Sequence, residues 1–417
     1  MDYKDKTICV YDNGLFVNMA GKLAESFGKV YYYSPWKNAF PKSNARLVGQ
    51  GFDMIERVNN FFDVVDLCDL FVFPDVYDGD LQLYLEKQGK RVWGSRKGEE
   101  LELYRDEAKR HMAGLGIAIG EYQVITGIQN LRKYLKENNN QWIKVSITRG
   151  DFESFHSPWY SVVEPRIDEL EYKLGAKKNI YQFIVEDGIE NAVEIGYDGY
   201  CIDGQFPTKG ICGIEIKDKG YLAYFKNYNE IPVEITEANG KIADTLKQYR
   251  YRNFISSEIR VTEETNYMLE WCTRNGSPPS ELYMEMFSNI ADIVWNGAEG
   301  VCIDPEPAGM FGAELLIHSK WAEKSWQEIT FPEEFKNNIS FRNVTKIDGK
   351  YYTVPQENEV AEIGAIVAVG DTIDEVVKKV CSIAEQIESY DLTIFPETFD
   401  DAFKELKKLE TWGINLG

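Results

Sequence analysis

The chain has 417 residues, which at roughly 150 residues per domain predicts about three domains and excludes a single small module. Hydrophobic residues make up 44% and charged residues 27%, a composition that excludes a disordered scaffold. With 46 Lys and Arg against 68 Asp and Glu, the net charge of −22 disfavours nucleic acid and anionic membranes as partners.

The seven cysteines are odd in number and widely spaced, and none forms a Cys-x-x-Cys pair. This pattern favours a reducing compartment over a disulfide framework or a zinc ribbon. No stretch approaches the ~20 apolar residues of a membrane span, and the N-terminus lacks a signal-peptide pattern. We therefore expect a cytoplasmic protein with no membrane partner.

The first hundred residues alternate strand and helix patterns: strand 7–11, helix 16–27, and strands 29–34, 70–74 and 91–93. This rhythm predicts a parallel α/β sheet. The loop Asp12-Asn13-Gly14 follows the first strand and precedes the helix. Such loops receive ligands in α/β sheets, and the helix N-terminus favours anions.

The middle of the chain reads as a second, smaller α/β unit followed by an antiparallel region. The unit comprises helix 98–115, strand 122–125, helix 128–137 and strand 142–147. Residues 180–220 are rich in β-branched and aromatic residues, with hairpin-turn signals at Asp187-Gly188, Asp198-Gly199 and Asp203-Gly204.

Further along, strands 257–262 and 267–271 are predicted to pair. A helix is predicted to start at Ser277-Pro278 and to run to Asn296-Gly297, with an apolar face at helical spacing. Near the C-terminus, strand 363–369 leads into a helix through the capping box Thr372-x-x-Glu375. This is one more βα unit.

Lys144 lies inside the otherwise apolar strand Trp142-Ile143-Lys144-Val145, just before the loop that contains Arg149. A lysine buried in a strand needs an anion as partner, which favours a clamp on a nucleotide phosphate. The alternative is a strand lysine that points to solvent on a half-exposed sheet.

Two acidic strands contain Glu258 and Glu270, which can face each other if the strands are antiparallel neighbours. Two like charges tolerate this only with a cation between them or with strong hydrogen bonding, and carboxylates suit a Mg²⁺ ion that bridges nucleotide phosphates. Arg274 has the forked geometry that holds a transferring phosphoryl group. The alternative is an exposed ion ladder of Glu258, Arg260, Glu270 and Arg274.

The segment 183–188 is apolar and then acidic, and Glu194 follows Glu186 by eight residues. Its backbone groups could read an adenine edge while a carboxylate accepts ribose hydroxyls, although ordinary strands often have this pattern. The three histidines are scattered and are interpreted as structural or surface residues. Cys272 is interpreted as a buried apolar filler.

Taken in order, several motifs resemble the landmarks of the ATP-grasp ligases, and among them the phosphoribosylamine–glycine ligase family. They are Phe73-Pro74-Asp75, Val92-Trp93-Gly94, Leu101-Glu102-Leu103-Tyr104-Arg105, Tyr251-Arg252-Asn253-Phe254 and the run from Leu269 to Pro278. The departures are Cys272 in place of a metal-binding asparagine, a lid reduced to Arg149-Gly150-Asp151-Phe152, and a missing N-terminal glycine-rich phosphate loop.

The resemblance implies an α/β chain with the α+β ATP-grasp fold in three parts. These are an N-terminal parallel α/β domain (1–97), a two-lobed ATP-grasp domain (98–325) whose small lid subdomain covers about 120–187, and a small C-terminal α/β domain (326–417). It also implies ATP and Mg²⁺ (or Mn²⁺) as cofactors. The partners are small molecules, namely an amino acid or other carboxylate and an amine, and the chain is a monomer or homodimer.

By resemblance, ATP is held by a set of cofactor-binding residues, namely Arg105, Lys144, Arg149, Ile184, Val185, Glu186 and Glu194. Glu270 is a metal ligand, Glu258 stands in for the second one, and Arg274 and Arg260 are the catalytic cations. The expected activity is ADP-forming ligation of an amino acid to the amine of a sugar phosphate or nucleotide through an acyl phosphate. The alternatives are a regulatory nucleotide-binding protein without turnover and a small-molecule kinase.

Overall fold

The structure is a computed structural model that describes residues 3–35, 47–145, 154–355 and 362–417. Within these residues the strands are β1 (Tyr3–Tyr11), β2 (Phe27–Tyr33), β3 (Glu56–Arg57), β4 (Leu70–Val72), β5 (Arg91–Trp93), β6 (Tyr122–Thr126), β7 (Gln141–Val145), β8 (Ser154–Ser157), β9 (Gln182–Asp187), β10 (Val193–Ile202), β11 (Lys209–Ile216), β12 (Gly220–Asn227), β13 (Arg252–Val261), β14 (Asn266–Cys272), β15 (Phe311–His318), β16 (Gln327–Ile329), β17 (Ile339–Phe341), β18 (Val344–Ile347), β19 (Lys350–Thr353) and β20 (Glu362–Gly370). The α-helices are α1 (Val17–Ala24), α2 (Gly79–Lys87), α3 (Glu100–Leu103), α4 (Arg105–Gly114), α5 (Ile128–Glu137), α6 (Tyr160–Leu174), α7 (Val233–Gln248), α8 (Ser280–Met286), α9 (Ile290–Ala298), α10 (Ile373–Ala384) and α11 (Thr398–Thr411).

The N-terminal sheet is parallel and has the strand order β3-β2-β1-β4-β5, which confirms the α/β pattern predicted from the sequence. Its central strands are apolar on both faces, as expected where helices cover a parallel sheet. The carboxyl ends of β1 and β4 lie side by side because these strands are neighbours. The segments that follow them, including Asp12 and Asp75, therefore meet at one edge of the sheet.

A small lobe is formed by the antiparallel sheet β6-β9-β7-β8 with helices α5 and α6. It has its own apolar core, to which α5 contributes Ile128 and Leu131, β7 contributes Ile143, and α6 contributes Ile167. Alternate residues of a strand face opposite sides. Because Ile143 faces this core, Trp142 and Lys144 face away from it.

The largest sheet has eight strands in the order β14-β13-β10-β11-β12-β15-β20-β17, all antiparallel. Strands β17 and β20 belong to the segment predicted as a separate C-terminal domain, yet they extend this sheet. The reason is that β20 is almost continuously apolar, so it is buried on both faces beside β15. The predicted boundary at residue 326 therefore falls inside one continuous sheet.

Two predicted helices are broken in the structure. The helix predicted over 98–115 is divided at Tyr104, whose backbone is not helical, so Arg105 begins α4. The helix predicted from Ser277-Pro278 begins instead at Ser280, after two prolines that lack the N–H donor. It is interrupted at Phe287, whose extended backbone pairs with Pro307 before α9 begins.

The turn predicted at Asp198-Gly199 is wrong. Both residues lie inside β10, which pairs with β13 along its full length. The Asp198 carboxylate accepts hydrogen bonds from Ser256 on the neighbouring strand β13 and from Tyr221 on β12, two strands away. These bonds replace the local backbone bonds that favour aspartate in turns. Asp203-Gly204 does form a turn, and both residues have positive φ.

The C-terminal βα unit is confirmed. Thr372 caps α10 by accepting a hydrogen bond from the backbone N–H of Glu375, and Val376, Val380 and Ile383 are buried on one face. The turn-rich segment before it forms the small sheet β16-β19-β18, which sequence patterns did not predict. Among the described residues, no helix has the length and apolar character needed to cross a bilayer.

Candidate active site

A cavity of about 650 Å³ opens between the small lobe and the eight-stranded sheet. Leu15 from the N-terminal domain and Lys144 from the small lobe line it. Arg342 and Glu362 from the C-terminal segment line it as well. The cavity therefore collects side chains from every part of the chain, as expected of a substrate site.

The polar floor of the cavity comes from one face of the sheet. Glu270 of β14 is in register with Glu258 of β13, which is in register with Gly196 of β10. Residues directly opposite in an antiparallel pair lie on the same face. This register confirms that Glu258 and Glu270 face one another, as the sequence predicted for adjacent antiparallel strands.

A glycine lets one floor residue cross its neighbouring strand. A Cβ on Gly213 would meet the ring and hydroxyl of Tyr221 at 2.4 Å. With no side chain at this position, the Tyr221 hydroxyl reaches across β11 and donates a hydrogen bond to Asp198. Burial raises the pKa of Asp198 to about 6, and the hydrogen bonds from Ser256 and Tyr221 limit the rise.

Three cations and two carboxylates meet where the small lobe faces the sheet. Arg105 contacts Glu270, and the Lys144 ammonium lies 3.3 Å from Glu270 and 3.9 Å from Glu186. Lys109 lies 2.9 Å from Glu186, beneath the cavity wall. Lys144 is buried and paired with carboxylates, so the alternative of a lysine pointing to solvent is wrong.

These neighbours push the two facing carboxylates in opposite directions. Burial, reinforced by Glu270 and Glu194, raises the pKa of Glu258 to about 8. Burial also acts on Glu270, but Arg105 and Lys144 outweigh it and lower the pKa of that carboxyl. The pair is therefore poised to hold one negative charge at neutral pH, and a bound cation would favour the second.

Arg274 is held against Glu102. Its Nε donates to Glu102 at 2.8 Å, and its Nη1 donates to the backbone carbonyl of Asn275. The second Glu102 oxygen accepts from the backbone N–H of Thr273, so one buried carboxylate fixes the end of β14 and the guanidinium together. Both Arg274 and Glu102 are among the residues that line the cavity.

Arg260 and Glu194 form a pair on the cavity face, with 2.8 Å between Nη2 and Oε2. They are in register on β13 and β10. Ile184 and Val185 lie in the middle of β9, between β6 and β7, and are fully buried and outside the cavity wall. Arg149 falls outside the described residues.

Sequence reasoning missed several polar residues of this site. Lys109 is one helical turn after Arg105 on the buried face of α4, and that spacing was the available signal. Glu102 gave no local signal, because its partners Thr273 and Arg274 lie far along the chain. Ile189 and the stacked pair Trp142 and His156, with ring centroids 4.9 Å apart, add apolar surface to the cavity wall.

The residues of the cavity can hold a divalent cation only if a bound ligand supplies the rest of its coordination shell. Among the described residues, no group of three or more His, Cys, Asp or Glu is arranged to hold a metal ion. Glu258 and Glu270 supply two facing carboxylates, and Mg²⁺ is commonly held by one or two carboxylates together with substrate phosphates. Cys272 is buried and burial raises its thiol pKa, so it is not a suitable ligand for this hard cation.

The predicted anion site after β1 is occupied by a residue of the chain itself. The Asp12 carboxylate accepts hydrogen bonds from the backbone N–H of Phe16 at 2.8 Å and from the Tyr32 hydroxyl at 2.5 Å. A negative group thus already sits at the start of α1, where an external anion was expected.

Comparison with known proteins gives one curated relative and many structural neighbours. Phosphoribosylamine–glycine ligase of Thermotoga maritima is 27% identical over 144 residues, which cover 33% of this chain and 34% of the relative. The match thus spans about a third of the length of that relative. No protein-family model matches the chain.

The crystal structure of the same Thermotoga maritima enzyme superposes with a TM-score of 0.65 at 18% identity, covering 93% of this chain and 98% of that one. The biotin carboxylase domain of Hydrogenobacter thermophilus 2-oxoglutarate carboxylase, in complex with MgADP and bicarbonate, has a TM-score of 0.65 at 13% identity, covering 98% of both chains. N5-carboxyaminoimidazole ribonucleotide synthetase of Thermus thermophilus has a TM-score of 0.60 at 14% identity, covering 91% of this chain and 98% of that one.

These neighbours are ATP-grasp enzymes, and their likeness over nearly the whole chain establishes the ATP-grasp fold. The fold predicted from the sequence motifs is confirmed, as is the resemblance to phosphoribosylamine–glycine ligase.

Proposed function

We propose that the protein is an ATP-dependent, ADP-forming ligase that joins a carboxylate, such as an amino acid, to an amine through an acyl phosphate. One observation carries this proposal. The facing carboxylates Glu258 and Glu270 and the cations Arg105, Lys144 and Arg274 line a single cavity between the small lobe and the sheet. Its size suits a nucleotide together with a small substrate.

The cations have a clear role in phosphoryl transfer. A carboxylate oxygen of the substrate attacks the γ-phosphorus, the bond to ADP breaks, and ADP leaves with the bonding electrons. Lys144, Arg105 and Arg274 stabilise the negative charge that spreads over the phosphoryl oxygens. Glu258 and Glu270 would hold Mg²⁺, which neutralises phosphate charge when it is bound.

Amide formation then needs no further nucleotide chemistry. The amine nitrogen attacks the acyl carbon, loses a proton, and phosphate leaves with the electrons of the C–O bond. We assign Arg260, which pairs with Glu194 on the cavity face, as the cation that assists this step. We place the ribose beside Glu194 and the adenine beside Glu186. Ile184 and Val185 lie within β9 and support the adenine position from behind.

The test is ADP release from MgATP across a panel of amino acids and other carboxylates crossed with amines, phosphorylated sugar amines included. Glu270→Gln tests the metal site, and Lys136→Met, which removes a lysine that contacts Tyr160 outside the cavity, is the matched lysine control for Lys144→Met. Turnover that requires both substrates and is lost in the two cavity variants supports the ligase. A stable phosphorylated carboxylate supports a kinase instead.

One observation favours a second candidate, a regulatory nucleotide-binding protein. Cys272 lines the cavity on the strand of Glu270, and its buried thiol remains protonated. If no other residue replaces the metal-binding asparagine at the position of Cys272, we expect MgATP to bind without turnover. Binding of MgADP with no ADP release anywhere in the panel would support this candidate.

A further inference from the structure

One short segment, residues 102–105, contacts a charged residue of β14 and another just after that strand. Helix α3 ends and α4 begins within this segment. Arg105 contacts Glu270 on β14, and Glu102 accepts a hydrogen bond from Arg274 at 2.8 Å. The two ion pairs have opposite sense, because the segment contributes the cation to one and the carboxylate to the other. The segment thus holds two residues to which the proposed function gives a role.

The Glu102 carboxylate is 5% exposed, and both of its oxygens have partners. Its Oε1 accepts from Nε of Arg274, and its Oε2 accepts from the backbone N–H of Thr273 at 2.8 Å. One carboxylate therefore binds the main chain of one residue and the side chain of the next. This arrangement fixes the guanidinium relative to the backbone that follows β14.

The Arg274 guanidinium retains donors for a ligand. An arginine side chain has five N–H donors on three nitrogens. Nε donates to Glu102, and Nη1 donates to the Asn275 carbonyl at 2.8 Å. Nη2 has no hydrogen-bond partner among the described residues, and Arg274 is one of the residues that line the cavity. Two nitrogens are thus held by the chain, and the third is available to a substrate.

Arg342 differs in this respect, although it lines the same cavity. Its Nε and Nη2 lie 3.1 and 3.0 Å from Glu281, its Nη1 contacts Glu362, and its Nη2 also contacts the Ser277 hydroxyl. Each guanidinium nitrogen of Arg342 already has a partner within the chain. Arg342 therefore holds carboxylates in place, whereas Arg274 can still donate to a ligand.

A guanidinium in a fixed position is worth more to phosphoryl transfer than a mobile one. Negative charge develops on the oxygens of the transferred group, and a donor that is already in place stabilises it without reorganisation. A long side chain that is free in the unbound protein loses rotamer entropy when it binds. Loss of the Glu102 carboxylate should therefore weaken the contact to the terminal phosphate and spare the contacts to the rest of the nucleotide.

We propose that Glu102 is a positioning residue for the terminal phosphate of ATP, and that it holds Arg274 so that the Nη2 group donates to this phosphate. The inference rests on the proposed function, which assigns Arg274 to the transferred phosphoryl group. The alternative is a purely structural ion pair, whose loss would lower the stability of the fold and weaken every nucleotide alike.

The experiment measures by calorimetry the affinities of MgADP and of the magnesium complex of AMPPCP, a non-hydrolysable ATP analogue. The ratio of the two affinities reports the contact to the terminal phosphate. In Glu102→Gln an amide nitrogen replaces one acceptor oxygen. We expect AMPPCP to weaken by about tenfold relative to ADP, as for the loss of a charge-assisted contact, while MgADP affinity stays the same.

Glu102→Asp keeps the negative charge but withdraws the carboxylate by one methylene group. It should fold even if Glu102→Gln does not, because Arg274 keeps an anionic neighbour. The misplaced guanidinium should weaken AMPPCP by about threefold relative to ADP.

A double variant tests whether Glu102 acts through the guanidinium. Arg274→Met alone should change the affinity ratio at least as much as Glu102→Gln does. Combining the two substitutions should cause no further loss, because Glu102 has no effect once the guanidinium is gone. The matched control is Glu86→Gln, which breaks a buried pair with Arg96 at 2.8 Å outside the cavity wall. It should lower stability and leave the ratio unchanged.

Three results would overturn the inference. They are an unchanged ratio in Glu102→Gln, or in Glu102→Asp if only that variant folds, an equal loss of affinity for both nucleotides, and additive effects in the double variant. MgADP binding to the parent chain tests the proposed function separately. If no nucleotide binds the parent chain, the proposed function fails and the inference fails with it. If MgADP binds and the ratio does not respond, the inference alone fails.

Discussion

The two ends of the cavity use the same residue types in different proportions. At the small-lobe end, Arg105 and Lys144 share Glu270 while Lys109 contacts Glu186, so cations at least match carboxylates. At the C-terminal end, the one guanidinium of Arg342 serves Glu281 and Glu362, and Glu314 is left over.

This difference shows that the balance of buried charges indicates which ligand charge a site can accept. Ions are buried at a cost of several kcal/mol each, by rough estimate, unless partners compensate them. The small-lobe end holds more cations than the carboxylates they contact, whereas at the C-terminal end Arg342 is shared by Glu281 and Glu362.

The largest expected effect follows from removing the C-terminal cation. Arg342→Met leaves three acidic groups buried without a guanidinium, and breaking a buried pair in this way costs about 3 kcal/mol or more. We expect the free energy of unfolding to fall by about that amount in urea denaturation. MgADP affinity, measured on the folded protein at low temperature, should stay the same.

The double variant Arg342→Met with Glu281→Gln sharpens this prediction. Neutralising Glu281 removes part of the uncompensated charge, so a fraction of the lost stability should return. If the single variant is as stable as the parent chain, the C-terminal cluster is not held by charge and the comparison fails.

Lys144→Met comes next. The ammonium group is proposed to bind phosphate, and its loss should weaken MgADP by roughly 100-fold, as for a charge-assisted contact in a closed site. The thermal midpoint without ligand should change little, because Arg105 still contacts Glu270 and Lys109 still contacts Glu186. Calorimetry and scanning fluorimetry measure the two quantities. A large loss of ligand-free stability with unchanged affinity would make Lys144 a structural residue.

A smaller effect is expected from Glu258→Gln. If Glu258 supplies the second carboxylate to Mg²⁺, the variant should need about tenfold more Mg²⁺ for half-maximal nucleotide binding. Titrating Mg²⁺ at fixed ADP measures this. The matched control is Glu328→Gln, which removes a carboxylate paired with Lys350 and Tyr352 away from the cavity. An unchanged Mg²⁺ dependence of Glu258→Gln would reject the assignment.

The last effect concerns the N-terminal sheet edge and is measured as a change in the pH dependence of stability. Burial, followed by the nearby Asp75 charge, raises the pKa of Asp78 to about 7. A raised carboxyl pKa contributes stability that is fully present below the unfolded value near 3.8 and is lost as pH rises through about 7. Between these values the free energy of unfolding should decline less steeply in Asp78→Asn than in the parent chain. Equal slopes would contradict the prediction.

The sequence predicted the small-lobe end of the cavity better than the C-terminal end. Lys144, Glu258 and Glu270 lie on strands whose apolar pattern is local, so their register could be inferred from the chain itself. The partners of Arg342 are 61 and 20 residues away, and no local pattern records such pairs. The position of β20 in the large sheet was not predicted for the same reason, because strand order depends on long-range packing.

Local rules also failed where tertiary contacts replaced them. Asp198-Gly199 has the composition of a hairpin turn, yet it lies inside β10 because Ser256 and Tyr221 donate hydrogen bonds to the Asp198 carboxylate. The loop after β1 was predicted to bind an anion, and Asp12 fills that position itself. In the first case the hydrogen-bond donors come from other strands of the sheet, and in the second the loop supplies its own carboxylate.

The acyl-phosphate route can be followed by the transfer of a carboxylate oxygen to phosphate. The panel of carboxylates is supplied with both carboxyl oxygens labelled with ¹⁸O, together with MgATP and the amines, and the released phosphate is analysed by mass spectrometry. We expect one ¹⁸O atom in each phosphate that accompanies amide formation, because that oxygen bonds to phosphorus and leaves with it. Amide formation with unlabelled phosphate would contradict the account.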